Sequence, residues 1–215
     1  IVEDSIRINY NGNEKQVWLQ AFGQNAHFLR NHLIDTDTTW TNDLPYMISG
    51  GIQVAQNSTL TIEEGCRIYL HADAPLIVDG TLVVNGTVTS PVSFRGDRLD
   101  PAYRNLPASW PGIYFRKNSI NNFIRYGIIQ NALQGITVIG PAANALPKLA
   151  LRECIIDNIY EAGILAMGTG IDAVNCLISN CGSNIVIQAG GDYRFTYCTI
   201  VSYDNRYINH KNPVL

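Results

Sequence analysis

Three stretches decide the fold: Leu149-Ala-Leu-Arg-Glu-Cys154-Ile-Ile-Asp-Asn158, Ile171-Asp-Ala-Val-Asn-Cys176-Leu-Ile-Ser-Asn180 and Tyr193-Arg-Phe-Thr-Tyr-Cys198-Thr-Ile-Val-Ser202. They are copies of one pattern, and their cysteines at 154, 176 and 198 stand 22 residues apart both times. A fixed period in the twenties marks a solenoid, whose repeats bury their apolar faces only by stacking on their neighbours. The apolar residues are Leu149, Leu151, Cys154 and Ile156, then Ile171, Ala173, Cys176 and Ile178, then Tyr193, Phe195, Cys198 and Ile200. Their spacing of two is strand alternation, not a helical period. The residues between them, such as Arg152, Asp172, Asn175 and Arg194, make the other face polar. A third short strand follows a polar corner, Gly163-Ile-Leu-Ala166 or Asn184-Ile-Val-Ile187. Three short strands per turn of 22 residues predict an all-β chain forming a right-handed parallel β-helix. The leucine-dense consensus of a leucine-rich repeat is absent.

The pattern extends upstream. Gly51-Ile-Gln-Val54, Thr59-Leu-Thr-Ile62 and Arg67-Ile-Tyr-Leu70 read as one coil. Pro75-Leu-Ile-Val78, Thr81-Leu-Val-Val84 and Val92-Ser-Phe94 read as the next. Glu63-Glu-Gly65 and Asn85-Gly86 mark corners, where Gly or Asn takes a positive φ at little cost. A third coil opens at Trp110-Pro-Gly-Ile-Tyr-Phe115, and insertions over 96–109 and 140–147 interrupt the series. The β-helix is expected over 47–215, with Pro213-Val-Leu215 opening a further coil that the natural protein continues or covers. Residues 1–24 predict a hairpin around the Asn11-Gly12 turn signal, the closing strands of a β-sandwich-like, immunoglobulin-like module. The polar stretch 25–46 reads as a linker or cap.

Two columns follow from the period. Cys154, Cys176 and Cys198 are expected to point inward, roughly 4.8 Å apart on adjacent rungs, as small apolar fillers. The total of five cysteines is odd, and no C-x-x-C pair suggests zinc. Cys181 lies off this column and is either a surface thiol or a partner of Cys176. Four residues after the column stand Asn158, Asn180 and Ser202, with Asn131 in the preceding coil. Asn tolerates a left-handed corner, and its amide can bond from rung to rung.

Composition agrees. The chain is 46% hydrophobic and only 15% charged, with 18 Gly, which suits many short buried strands and tight corners. Its net charge of −3 and lack of a basic run argue against nucleic acid as a partner. No membrane-length apolar run and no signal-peptide pattern occur. The chain opens at Ile1 in what reads as a strand, which suggests a mature or trimmed piece.

The segments Gly51 to Leu70 and Leu76 to Phe94, then Arg95-Gly-Asp-Arg98, Trp110-Pro-Gly-Ile113, Cys154-Ile-Ile-Asp-Asn158 and Asn175-Cys-Leu-Ile-Ser-Asn180-Cys-Gly182, resemble secreted right-handed parallel β-helix repeat proteins of Bacteroidota. The likeness covers nearly the whole chain. It implies an extracellular or cell-surface location on the outer leaflet of the outer membrane, often through a lipid anchor that would lie outside this stretch. It also implies an immunoglobulin-like module ahead of the β-helix. The group has no common activity to carry over.

The residues best placed to bind a ligand lie in the first insertion. Arg95, Asp97, Arg98, Asp100, Tyr103 and Arg104 cluster there, with Trp110 beside them. Loops on a rigid scaffold carry binding, and Arg among aromatics suits glycans or protein hot spots. The plainer alternative is that Asp–Arg pairs staple the loop to its own coil. Arg95-Gly-Asp97 spells an adhesion tripeptide that a corner glycine explains. Asn57-Ser-Thr59 and Asn85-Gly-Thr87 fit N-glycosylation. Asp4-Ser-Ile6 and Asp37-Thr-Thr39 fit a short O-glycosylation pattern on Ser5 and Thr38.

A polysaccharide lyase would need carboxylates converging on calcium, and a hydrolase a carboxylate pair at a set separation. Asp157, Asp172 and Asp204 are not at equivalent positions, and His27, His32, His71 and His210 are scattered. The outward rows read Ala150, Asp172, Arg194 and Arg152, Val174, Thr196, which predicts an ion pair at Asp172. No catalytic residue, cofactor or metal ligand is assigned. The expected function is a non-enzymatic cell-surface scaffold or binding module inside a larger lipoprotein or outer-membrane complex, with a protein or a surface glycan as partner. The alternative is a carbohydrate-active enzyme, lyase or glycoside hydrolase, whose site is incomplete here.

Overall fold

Alternation at a spacing of two gives each short segment one apolar edge, and the segments bury it by stacking in register. The computed structural model describes residues 2–21, 23–203 and 206–208, and these residues hold strands and no helix. The strands run β1 (Val2–Tyr10), β2 (Asn13–Ala21), β3 (His27–Ile34), β4 (Thr38–Trp40), β5 (Tyr46–Val54), β6 (Thr59–Glu63) and β7 (Arg67–Leu70). They continue with β8 (Leu76–Val78), β9 (Thr81–Asn85), β10 (Val92–Gly96), β11 (Ile113–Phe115), β12 (Asn122–Arg125), β13 (Gly127–Gln130) and β14 (Ile136–Ile139). The last are β15 (Leu149–Arg152), β16 (Ile155–Asp157), β17 (Ala162–Val174), β18 (Leu177–Ser179), β19 (Ser183–Thr196) and β20 (Thr199–Val201).

From β3 onward the pairings are parallel, and through the middle of the chain each strand pairs with the one three further on. The chain is therefore a parallel β-solenoid with three strands per turn. The first sheet stacks the starts of β3 and β5 with β7, β10, β13, β16, β18 and β20. The second stacks the ends of β3 and β5 with β8, β11, β14 and the first halves of β17 and β19. The third stacks β4, β6, β9, β12, β15 and the second halves of β17 and β19.

Matching columns fill the inside. Ile68, Phe94, Ile129, Ile156 and Ile178 stack in the first sheet. Val54, Val78, Phe115, Val138 and Ala166 stack in the second, and Ile62, Val84, Ile124, Leu151 and Ala173 in the third. All fifteen are fully buried at 0% exposure. Burying a Val, Ile or Phe side chain contributes roughly 1.5–3 kcal/mol, so these columns supply the main stabilising term.

The corners are left-handed. Asn131, Asn158 and Asn180 turn the chain from the first to the second sheet with φ of 64°, 57° and 56°. Tyr126, Glu153, Asn175 and Tyr197 turn it from the third to the first with φ of 46°, 52°, 55° and 55°. A non-Gly residue is strained there by roughly 1–2 kcal/mol. The corner amides offset this by continuing the ladder: Tyr126 N–H donates to Arg152 O at 3.0 Å, Glu153 N–H to Val174 O at 3.1 Å and Asn175 N–H to Thr196 O at 2.9 Å.

Three sequence readings change. Residues 25–46 are not a linker, because β3 and β4 lie there and form the first coil, so the solenoid begins at His27. Trp40 is buried in this first coil, and its ring stacks on Tyr46 with centroids 4.3 Å apart. Cys66 joins the cysteine column, since Ser93 pairs with Arg67 and with Ile128, which puts Cys66, Val92, Gly127, Cys154, Cys176 and Cys198 in line. Cys181 is neither a surface thiol nor a partner of Cys176. It is buried at a corner, its thiol donates to Ser179 O at 3.2 Å, and none of the five cysteines forms a disulfide. The expected hairpin is present: β1 and β2 pair antiparallel around Asn11 and Gly12, with φ of 46° and 77°. The segment Pro213-Val-Leu215 lies outside the described residues.

Candidate functional site

The first insertion leaves the first sheet after Gly96 and returns at Trp110. A Cβ on Gly96 would clash with the Ser109 hydroxyl, so glycine lets the two ends of the loop close on each other. Asp100 O accepts the amides of Tyr103 and Arg104, both at 2.9 Å, which folds the tip into a turn. The asparagine corner then holds it. Asn131 Nδ2 donates to Arg104 O at 2.8 Å, and Asn158 Nδ2 donates to Asn105 O at 2.9 Å and to Asn131 Oδ1 at 2.8 Å. The bonds to Arg104 O and Asn105 O satisfy backbone carbonyls, and the one to Asn131 Oδ1 links the two corner amides from rung to rung.

This geometry divides the sequence candidates. Arg95 Nη2 donates to Arg104 O at 3.1 Å, so Arg95 staples the loop, and Arg104 is held through its carbonyl. Trp110 is a core residue, 1% exposed, with Nε1 donating to Gln130 O at 2.8 Å, and it offers no binding surface. Asp97 pairs with His71 across the rung at 2.7 Å. The candidates whose side chains face solvent are Arg98, Asp100, Tyr103 and Arg104. Arg98 Nε sits 3.1 Å from Asp100 Oδ2, and its guanidinium lies 4.0 Å from the Tyr103 ring centre. The loop thus displays a stacked cation, phenol and carboxylate on a backbone that is already ordered.

Ser49, His71 and Asp97 follow one another on successive rungs, the order of a nucleophile, base and orienting acid. The Asp97 hydrogen bond and charge raise the His71 pKa above its ordinary value. The bond seen in this column is His71 Nδ1 to Asp97 Oδ2 at 2.7 Å, and Ser49 shares a shallow pocket with the pair.

On the third sheet Asp172 is held from two sides. Arg152 Nη2 lies 2.6 Å from Asp172 Oδ2, and Arg194 Nε lies 3.8 Å from Asp172 Oδ1. The sequence foresaw the Arg194 neighbour but not the diagonal to Arg152. Among the described residues no group of three or more His, Cys, Asp and Glu gathers as a metal site. Burial pushes the Cys66 thiol up to about 11 and the Cys181 thiol up to about 12, so both stay protonated and inert at neutral pH. Of the glycosylation patterns, Asn57 sits at a corner with φ of 67°, Asn85 ends β9, Ser5 lies within β1 and Thr38 opens β4, where the neighbouring Asp37 Oδ1 accepts the Thr59 amide at 2.8 Å.

Comparison with known protein families, curated proteins and solved structures finds no match to this chain.

Proposed function

We propose that this chain is a non-enzymatic scaffold or binding module of the cell surface, set within a larger lipoprotein or outer-membrane assembly, with a protein or surface glycan as its partner. The location rests on the resemblance to secreted β-helix proteins of Bacteroidota. The observation that carries the binding role is the first insertion, docked by Asn131 and Asn158 and presenting Arg98, Asp100 and Tyr103 outward. A loop ordered before binding loses little conformational entropy when a partner arrives. Arg and Tyr on such a loop are the residue types that most often anchor an interface.

The test is replacement of Arg98, Tyr103 and Arg104 together by Ala. None of their side chains holds the coil, so the melting temperature stays where it is. Retention of added protein on the stripped surface of its own cells is expected to fall strongly. Undiminished retention by the triple variant would remove the loop from the account.

A further inference from the structure

A cleft of about 440 Å³ opens where the corner between the first and second sheets meets the second sheet. Its floor is apolar, formed by Leu165 and Val186, which pair on neighbouring rungs with side chains outward. Two tyrosines border it. Tyr160 is 50% exposed and Tyr207 40%, a large phenol surface left in water. Arg206 lies over the Tyr207 ring at 4.6 Å. The corner side carries a carboxylate and an amide. Gln134 Nε2 donates to Glu161 Oε2, and Gln134 Oε1 accepts the Ala162 amide at 3.3 Å, so each side chain orients the other. Glu161 is exposed and lines the cleft, and its Oε1 makes no hydrogen bond among the described residues. Gly182 on the cleft wall packs directly on the neighbouring rung, where a Cβ would clash with Tyr160 O and Glu161 O.

We propose that this cleft binds a short neutral saccharide. A pyranose presents a C–H face and a rim of hydroxyls. Phenol rings and an apolar floor match the first, and an oriented carboxylate beside an amide matches the second, with hydroxyls donating to Glu161. Among the described residues the cleft lining holds the Glu161 carboxylate and no cation, with Arg206 set against the Tyr207 ring and not in the lining, which disfavours uronates and other anionic sugars. Its volume suits a small ligand, since such pockets span roughly 300–1,000 Å³. The inference deepens the binding-module reading by naming a ligand class at a second place on the solenoid, and it does not depend on the first insertion.

The test is titration of ¹⁵N-labelled protein with three neutral tetrasaccharides, cellotetraose, laminaritetraose and mannotetraose, and with tetragalacturonate and a proline-rich decapeptide as comparators. The expected result is that at least one neutral tetrasaccharide shifts the amides of Glu161, Gly182 and Ser183. Tyr160→Ala and Glu161→Gln should each weaken that binding by about tenfold or more, and Tyr160→Phe should retain it. The triple Ala variant of the first insertion should bind the sugar normally, so failure here and failure of the loop are separate results. The proposal is overturned if none of the three sugars shifts these amides, if tetragalacturonate or the peptide binds in preference to all of them, or if Tyr160→Ala binds like the parent.

Discussion

The two insertions leave the solenoid at different corners and are rooted by opposite chemistry. The first, 97–109, is fixed mainly by neutral amides, Asn131 and Asn158 donating to Arg104 O and Asn105 O. The second, 140–147, is fixed by a buried cation. Lys148 is 1% exposed, and its Nζ donates to Ile139 O at 2.6 Å, Lys117 O at 2.8 Å and Gly140 O at 3.3 Å. It clasps the entry of its own loop and the preceding coil at once. A buried carbonyl needs a donor, not a charge. Asparagine supplies one with little desolvation cost, and lysine supplies three at the cost of burying an ion. Burial accordingly pulls the Lys148 pKa down to about 8.

The largest effect should come from breaking the neutral root. Asn158→Ala strands the acceptors at Asn105 O and Asn131 Oδ1 and puts a Cβ without a polar group at a φ of 57°. The expected loss is about 2–4 kcal/mol by urea unfolding, with faster amide exchange across 97–109. Asn158→Gly keeps the corner at ease and should recover only the backbone part. Equal stability of Asn158→Ala and the parent would mean that the loop is not docked on the asparagine corner.

A smaller effect, with a definite sign, should mark the charged root. The folded pKa of Lys148 near 8 lies below the unfolded value of about 10.4. Between those values the unfolded chain holds a proton that the folded chain has lost, so rising pH favours the folded state by up to about 1.4 kcal/mol per unit. Lys148→Met removes that slope. Urea unfolding at pH 7.5 and 9.5 should show the parent gaining on the variant at the higher pH, and parallel behaviour would place the ammonium in solvent. The exposed His71–Asp97 pair at the root of the first insertion has the opposite sign. The raised His71 pKa makes its contribution complete below about 6.5 and lost as pH rises through the folded value.

The coils were legible because the 22-residue spacing of Cys154, Cys176 and Cys198 carries both the period and the inward face. The asparagine corner was legible because few residues accept a positive φ while offering an amide. The first coil was hidden because a terminal rung is covered on one side only, so 27–40 needs few apolar residues and reads as polar. Cys66 was missed because Val92 and Gly127 interrupt its column. The candidate loop was legible as a cluster, but not which members point outward: Trp110 and Arg95 have the composition of a binding surface and the contacts of a fastening. The cleft at Tyr160 was out of reach, because Tyr207 arrives from 47 positions later in the chain.

Every placement above depends on the coil register, and the cysteine column reports it directly. Cys66, Cys154, Cys176 and Cys181 are at most 2% exposed, and Cys198 is half-buried on the last rung among the described residues. Native alkylation with iodoacetamide, mapped by mass spectrometry, should label Cys198 slowly and leave the other four untouched until urea is added. Labelling of Cys154 or Cys176 as fast as Cys198 in native buffer would contradict the register and the solenoid built on it.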